Sequence, residues 1–184
     1  DVERSRGLGD VYKRQPRDRR IEPAEETALL NRLGYVEAEV PVTLHQELAM
    51  AFLIALETAM RQGEILGITA KAVNLKQRFV HLPLTKNGSS RNVPLSKRAV
   101  GLIGILLGEK KGAEKLFRLT SASADAMFRK VRDDVAIVGL TFHDTRHEAI
   151  TRLARKVDVL DLARITGHKD PRSLMVYYLS LIHI

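Results

Sequence analysis

The sequence has no cysteine and no tryptophan among its 184 residues, and aromatic residues make up only 5% of the chain. The absence of cysteine excludes disulfide bonds, thiolate metal sites and cysteine nucleophiles. Hydrophobic residues still account for 45% of the chain, which is enough for a hydrophobic core. Because aromatic rings are scarce, we expect that core to be mostly aliphatic, within one domain of ordinary size.

Long uninterrupted apolar segments are also missing, so no membrane span is predicted, and no secretory signal is visible. The sequence has no Walker-type phosphate loop, no GxSxG and no HExxH motif. What it has in excess is positive charge, with a net charge of +8. Such a charge favours a polyanionic partner such as nucleic acid, although an ordinary solvated basic surface would produce the same number.

The two ends of the chain share an unusual relationship. Residues 10–15 read DVYKRQ and residues 179–184 read LSLIHI. A DNA element that encodes the first hexapeptide encodes the second on its opposite strand, and this element resembles the end sequence used in transposon-based sequencing libraries. We therefore predict that residues 1–15 and 179–184 are assembly scars, that residues 16–178 are the authentic domain, and that the natural protein is truncated at both ends.

Helix signals dominate the remaining sequence. Pro23, followed by two glutamates, predicts a helix over residues 23–33. Thr43 and Gln46 form a capping box for a helix that runs to about residue 59. Further helices are predicted over residues 61–66, 96–107, 121–137, 143–155, 158–165 and 171–178, with Ser96, Ser121 or Ser123, and Asp158 as N-caps.

The stretch from residue 72 to residue 95 has a different pattern. Residues 79–82 and 91–95 alternate as strands do, and the turn-rich residues 86–90, with an Asn-Gly pair, join them. We therefore predict a mostly α-helical fold with a small three-stranded antiparallel sheet at about residues 72–95.

Separated segments carry the residues that are suited to chemistry. They are residues 57–66, with Arg61 and Glu64; residues 84–88, with Lys86, followed by residues 91–95; residues 143–147, with His143 and Arg146; and Gly167-His168, with Tyr177 nine residues after the histidine. Each segment alone is a weak signal. The presence of all these segments in one chain and in this order is a far more specific signal than any one of them.

This ordered series resembles the signature of the tyrosine recombinases of the phage-integrase type: arginine, hairpin lysine, His-x-x-Arg, Gly-His and tyrosine. The resemblance covers about residues 20–178. It implies the tyrosine recombinase catalytic-domain fold. It also implies a site-specific DNA recombinase that cleaves and rejoins DNA through a 3′-phosphotyrosine intermediate.

The two arginines are suited to a phosphodiester, whose transition state gathers negative charge on its non-bridging oxygens. Arg61 and Arg146 offer rigid, permanently charged forks for these oxygens. A surface ion pair or a contact with the DNA backbone is the ordinary alternative for each arginine. Glu64, at i+3 from Arg61, can lie on the same helical face and orient it.

The resemblance implies proton-transfer and phosphate-binding roles for three further residues. Lys86 would protonate the leaving 5′ oxygen, His143 would assist proton transfer at the tyrosine hydroxyl, and His168 would hydrogen-bond the phosphate. Each has a structural alternative, as a solvated hairpin lysine, a helix N-cap and a buried histidine respectively. His143 and His147 are also spaced for a metal ion, but the adjacent Arg146 and the lack of an evident third ligand argue against one.

Tyr177 is the candidate nucleophile. A phenol has a pKa of about 10 and needs positive neighbours or a base to attack at neutral pH. Tyr178 is its direct competitor, but lies about 100° away around a helix and does not match the family's spacing. The covalent intermediate conserves bond energy, so the resemblance implies no cofactor, no ATP and no metal.

The sequence departs from the family pattern in three respects. Ala59 stands where glycine is usual, Thr145 replaces the common leucine of His-x-x-Arg, and the N-terminal DNA-binding domain is missing. Two other functions stay open: a degenerate integrase that acts only as a DNA-binding module, and a type IB topoisomerase, which shares similar chemistry. The short spacing from Gly-His to Tyr177 favours the integrase branch.

The resemblance also predicts partners and setting. The expected partner is double-stranded DNA, on which the full-length protein would form a homotetramer, in the cytoplasm of a bacterial host and without a membrane. Because half of the DNA clamp is absent and phosphate contacts dominate affinity, the isolated fragment is expected to be only weakly active.

Overall fold

A computed structural model of the chain describes residues 19–83 and 90–182. The helices are α1 (Pro23–Arg32), α2 (Leu44–Thr58), α3 (Gln62–Leu66), α4 (Lys97–Leu107), α5 (Ser121–Asp134), α6 (Asp144–Ala154), α7 (Val159–Thr166) and α8 (Met175–Ile182), and the strands are β1 (Val73–Asn74), β2 (Phe79–Leu82) and β3 (Arg91–Pro94). Single 3-10 turns lie at Ala70–Ala72 and Pro171–Leu174. The mostly helical class predicted from the sequence is confirmed.

The sheet is antiparallel with the order β1-β2-β3, as predicted. Val80 of β2 pairs with Val73 on one side and Val93 on the other. Both Val80 and Val93 are buried, whereas His81 and Asn92 pair on the exposed face. This alternation fixes the register, because a slip by one residue would turn the valines to solvent. Residues 84–89, which include Lys86, lie outside the described residues.

Most of the expected N-caps are present, and one is corrected. Thr43 accepts from Gln46, Ser96 from Ala99 and Asp158 from Leu160 and Asp161 through backbone N–H groups. Helix α5 is capped by Thr120 and not by Ser121 or Ser123, because the Thr120 side chain accepts from the Ser123 backbone N–H at 3.2 Å. The side chain of Ser123, the third residue of the helix, accepts in turn from the Thr120 backbone N–H. The two hydrogen bonds form a capping box.

Two helix ends differ from the sequence prediction. Helix α5 stops at Asp134 instead of residue 137, since Ala136 adopts a left-handed φ of 55°. Residues 171–178 are not one helix: a 3-10 turn precedes α8, and α8 continues to residue 182. The segment predicted to be a scar is thus helical over residues 179–182, and its origin stays a prediction.

Helix α2 is the centre of the core. Nearly all of its residues are buried, and it packs against α4, α5 and α6. Aliphatic residues make up most of the core, as expected, but three of the few aromatic rings meet at its middle. Phe52, Phe128 and Phe142 lie with ring centroids 5.6–6.3 Å apart, a spacing at which aromatic pairs add stability beyond their buried area.

A second, smaller apolar cluster lies between α6, α7 and α8. It is built from Ala59, Ala149, Ile150, Ala154, Leu162, Ala163 and Leu174, with both Tyr177 and Tyr178 packed against it. The small side chains allow these elements to approach closely. This cluster therefore positions the candidate nucleophile helix on the helix that carries His143 and Arg146.

The segment before α1 is tied to α6 by a buried carboxylate. Glu148 accepts from Arg20 Nε at 2.6 Å, from Arg152 Nε at 2.8 Å and from the Ile21 backbone N–H at 3.4 Å. Burial alone would raise the pKa of Glu148, but the two arginines outweigh it and lower the pKa to about 2. Arg152 also contacts Glu26 of α1 at 3.4 Å, so the network joins three parts of the chain.

Glu148→Gln is expected to lower the free energy of unfolding by about 1–3 kcal/mol at neutral pH, since it removes charged hydrogen bonds at a buried site. The depressed pKa of Glu148 contributes stability that is present above about 4.5 and lost as the pH falls toward about 2. The variant should therefore differ from the parent at pH 7 and converge on it at acidic pH, in urea denaturation followed by circular dichroism. Asp161→Asn, which breaks an exposed pair with Arg164, should change stability by less than about 0.5 kcal/mol. Equal effects of both variants would contradict the assignment.

Candidate active site

Arg146 is the buried centre of the candidate site. The residue is 5% exposed, and its guanidinium donates to the backbone carbonyls of Ala59, through Nη1, and Thr166, through Nη2 at 2.7 Å. Burial lowers the pKa of Arg146 to about 10, and the positive charge of Arg61 acts in the same direction. A pKa of this size keeps the side chain charged at neutral pH, so a permanent positive charge is held between α2 and α7.

The carbonyl of Ala59 reaches Arg146 because of a sharp turn after α2. Ala59 caps this helix in the left-handed region, with φ 55° and ψ 17°. This conformation explains why glycine is the usual residue here in the family that the sequence resembles, and alanine pays about 1 kcal/mol of strain for it. Ala59 is fully buried. The left-handed turn is therefore held by the surrounding packing, even though alanine adopts this conformation less readily than glycine.

Arg61, Glu64 and Arg91 form a second layer beside Arg146. Glu64 accepts from the Arg61 side chain at 3.2 Å and from the Arg61 backbone N–H at 2.8 Å. It also accepts from Arg91 Nη2 at 2.8 Å, while Arg91 Nε donates to the Ile165 carbonyl at 3.1 Å. Burial would raise the pKa of Glu64, but the hydrogen bonds from Arg91 and Arg61 outweigh it and lower the pKa. The orienting role predicted for Glu64 is thus consistent with these contacts.

Gly167 packs directly on Arg91. A Cβ at position 167 would lie 3.0 Å from Arg91 Nη1 and 3.1 Å from Cζ. The residue also has a φ of 73° as the C-cap of α7, a conformation that L side chains rarely adopt. Both the left-handed φ and the close approach of Arg91 therefore favour glycine at this position. The turn that it makes returns His168 toward α7.

Both candidate histidines lie in a strongly positive environment. Desolvation lowers the pKa of His168 to about 4, followed by the charges of Arg146, Arg61 and Arg91. The pKa of His143 is also lowered, first by desolvation and then by Arg146, although the residue stays exposed at the start of α6. Both rings are therefore neutral at pH 7. The His143 side chain does not cap the helix, so the N-cap alternative for its side chain is not supported.

The two neighbouring tyrosines face different surroundings. The ring of Tyr177 lies 5.0 Å, between centroids, from the His147 ring, and its hydroxyl is close enough to Arg146 to act on the pKa of that arginine. The Tyr178 hydroxyl donates to the Val157 carbonyl at 2.7 Å, on the loop between α6 and α7. Burial raises the pKa of Tyr178, as do nearby aspartates. Tyr177 therefore belongs to the candidate site and Tyr178 to its support.

The starts of α3 and α6, helix α8 and the turn after α7 bring together Arg61, Glu64, His143, Arg146, His168 and Tyr177. Lys86 lies outside the described residues. Arg61 acts on the pKa of both histidines and of Arg146, which places these side chains around one region. Within residues 19–83 and 90–182, no group of three or more histidine, aspartate or glutamate side chains is arranged to hold a metal ion. No helix in the same ranges is long and apolar enough to cross a membrane.

Sequence reasoning missed two residues of this site, Arg91 and Thr166. Arg91 belongs to a segment that the sequence singled out, but no role was assigned to it. Its side chain is only 7% exposed. Thr166 precedes the Gly-His pair and is fully buried, with contacts to both Arg146 and His168. Position beside a motif was the available signal in both cases.

In the reaction that the family resemblance implies, Arg91→Lys should slow DNA cleavage about tenfold to a hundredfold at saturating DNA, because one ammonium cannot serve both Glu64 and the Ile165 carbonyl. Small displacements of reacting groups carry costs of this order. The free energy of unfolding should fall by about 1–3 kcal/mol. Arg78→Lys, an exposed arginine at the β1–β2 turn of the same sheet, is the matched control and should change neither. Single-turnover rates measured where both variants are folded test this, and a rate equal to that of the parent would remove Arg91 from the site.

Several known proteins are similar to this chain. A Haemophilus influenzae protein that carries the name integrase/recombinase is 42% identical over 173 residues, which cover 94% of this chain and 56% of that protein. A shufflon-specific DNA recombinase of Escherichia coli is 37% identical over 163 residues, 88% of this chain and 40% of that protein. This chain thus spans about half the length of the curated relatives that it matches.

Solved structures share the fold. The Tn1549 transposon integrase, in complex with a circular intermediate DNA, superposes with a TM-score of 0.71 at 20% identity, over 93% of this chain and 65% of that one. The catalytic domain of bacteriophage HP1 integrase gives 0.64 at 21% identity, over 86% of each chain. The family model for the phage integrase family matches residues 19–182. On this match and on the similarity to its curated relatives, the chain belongs to the phage integrase family.

Proposed function

We propose that this chain is the catalytic domain of a site-specific DNA recombinase, which cleaves and rejoins duplex DNA through a 3′-phosphotyrosine at Tyr177. The observation that carries the proposal is the buried guanidinium of Arg146, held beside Arg61 and His168 and within electrostatic reach of Tyr177. The positive charges of Arg61 and Arg91 lower the pKa of Arg146, and all three arginines lower the pKa of His168. An anionic phosphate would relieve this mutual repulsion.

In the proposed reaction, the Tyr177 hydroxyl oxygen attacks the scissile phosphorus and the bond to the 5′ oxygen breaks. Arg146 and Arg61 stabilise the charge that develops on the non-bridging oxygens. The phosphodiester is replaced by a phosphotyrosyl ester, so no bond energy is lost. Rejoining is the reverse step, in which a 5′ hydroxyl of the partner strand attacks the phosphotyrosine and releases Tyr177.

Two proton transfers accompany each attack. His143 is neutral at pH 7 because burial and Arg146 lower its pKa, so it can accept the proton of the Tyr177 hydroxyl. Lys86 gives a proton to the leaving 5′ oxygen, a role that we carry over from the family resemblance alone. His168 binds a non-bridging oxygen. No step of this scheme needs a metal ion or a cofactor.

The partner that we propose is double-stranded DNA, consistent with the named DNA complexes of structures that share the fold. We further propose that the full-length protein acts as a homotetramer on DNA in the bacterial cytoplasm, where such a substrate lies. The isolated chain should be weakly active, since phosphate contacts dominate affinity and the chain spans only about half the length of its curated relatives.

Covalent capture tests the proposal. The protein is incubated, with EDTA present, with a pool of nicked duplexes of random sequence, so that cleavage releases a short fragment and traps the intermediate. After denaturation, DNA that remains linked to protein is recovered, and mass spectrometry locates the modified residue. We expect a nucleotide adduct on Tyr177. DNA retained only before denaturation would indicate a DNA-binding module without catalysis and would overturn the proposal.

A further inference from the structure

Thr166 contacts two of the three side chains that are proposed to bind the phosphate, Arg146 and His168. It is the last residue of α7 and is fully buried. Its backbone carbonyl accepts from Arg146 Nη2 at 2.7 Å, and its hydroxyl oxygen lies 2.6 Å from His168 Nδ1. One residue therefore connects Arg146 of α6 with the histidine that follows the Gly167 turn.

The protons around this hydroxyl can be counted. Thr166 Oγ1 also lies 2.7 Å from the carbonyl oxygen of Leu162, and a carbonyl oxygen can only accept. The single hydroxyl proton is therefore donated to Leu162. Thr166 Oγ1 can then only accept from His168, so Nδ1 must carry a proton.

This count determines what the other ring nitrogen presents to the site. A neutral imidazole has one proton, so a proton on Nδ1 leaves Nε2 as a bare lone pair. Such a nitrogen cannot donate a hydrogen bond to a phosphate oxygen. It becomes a donor only when the ring gains a second proton and turns into an imidazolium.

We propose that Thr166 is a positioning residue that holds His168 in the Nδ1–H tautomer, so that His168 takes up a proton when it binds a DNA phosphate. The second half of this statement rests on the proposed function. The charged groups that face His168 are Arg146 from α6, Arg61 at the start of α3 and Arg91 from β3. In the free protein, burial and these charges keep the ring neutral, with a pKa of about 4. A bound phosphate adds negative charge next to them, which raises the pKa and draws the proton in.

Nitrogen-15 NMR of histidine-labelled full chain reads the tautomer directly, with the His168 signals assigned by their loss in His168→Gln. In the free protein at neutral pH, Nδ1 should be protonated and Nε2 bare. Addition of a short duplex should protonate both nitrogens. A bare Nδ1 in the free protein would overturn the role of Thr166, whatever the protein's function. The expected free state without any change on DNA addition would overturn proton uptake and the phosphate contact, while the tautomer assignment would stand.

Two variants distinguish the effect of the Thr166 hydroxyl from the effect of side-chain packing. Thr166→Ser keeps the hydroxyl and should retain the Nδ1–H state. Thr166→Val keeps the shape but frees the ring, so neutral His168 can donate from Nε2. In the parent and in Thr166→Ser, binding takes up one proton. The Kd for the duplex should therefore increase about tenfold for each unit by which the pH rises, in the range between the pKa values of free and DNA-bound His168. In Thr166→Val this pH dependence of the Kd should be nearly lost. Equal slopes in the three proteins would overturn the proposal, and the parent's NMR spectrum decides it if Thr166→Val does not fold.

Discussion

Tyr177→Phe should abolish the covalent protein–DNA adduct, whereas Tyr178→Phe should leave it largely intact. The first change removes the hydroxyl oxygen that attacks the phosphorus in the proposed reaction and leaves the ring that packs against the α6–α7–α8 cluster. The second removes a hydroxyl that donates to the Val157 carbonyl at 2.7 Å. Loss of that hydrogen bond is expected to reduce stability by about 1 kcal/mol without removing the nucleophile.

The measurement is the yield of denaturation-resistant adduct that each protein forms on a nicked duplex. DNA binding before denaturation should be similar in both variants, which controls for folding and for access to DNA. If Tyr178→Phe eliminated the adduct and Tyr177→Phe did not, the nucleophile would lie one residue further along α8. Adducts that survive both changes would contradict a phosphotyrosine mechanism.

Arg146→Lys should reduce the single-turnover rate of cleavage about 10²–10³-fold at saturating DNA, the size of effect seen when one transition-state donor is removed. Lysine keeps the positive charge but carries it on a single ammonium group. One ammonium cannot hydrogen-bond the carbonyls of Ala59 and Thr166 and also contact a phosphate. A group that acts in the transition state affects the rate more than it affects DNA affinity.

Affinity is the control within this experiment. A plain contact with the DNA backbone would weaken binding at every sequence and reduce the salt dependence, with little change in the rate of bound DNA. Arg32→Lys, at an exposed arginine of α1 that pairs with Asp134 at 2.5 Å, is the matched control and should alter neither quantity. A normal rate with weakened binding in Arg146→Lys would leave Arg146 as a binding residue only.

Local structure was accessible from the sequence to a large extent. Caps and turns depend on residues a few positions apart, so Thr43, Ser96 and Asp158 marked real helix starts. The errors have the same local scale. Helix α5 is capped by Thr120, although Ser121 and Ser123 lie close by in the sequence. The same helix ends early because Ala136 adopts a left-handed φ, a conformation that alanine does not signal in a sequence.

The candidate site divides along a similar line. The sequence alone determined which residue types are present in the family's order, from Arg61 to Tyr177, and so the family and the chemistry to be expected. The sequence could not show which groups are hydrogen-bonded to these side chains, because the bonded groups lie far apart in the chain. Arg146 reaches Ala59 across 87 positions, and Arg91 reaches Ile165 across 74.

Only the tertiary structure decided how the charges of the site are held. A buried arginine must have its donors satisfied, and the groups that satisfy Arg146 are two backbone carbonyls, which any residue type could supply. Their positions depend on the turn at Ala59 and on the end of α7. The burial of Arg91 and the proton arrangement at Thr166 follow from the same packing. Residue identity alone thus determined the chemistry, while packing determined protonation and orientation, because these depend on distances between elements that only the folded chain brings together.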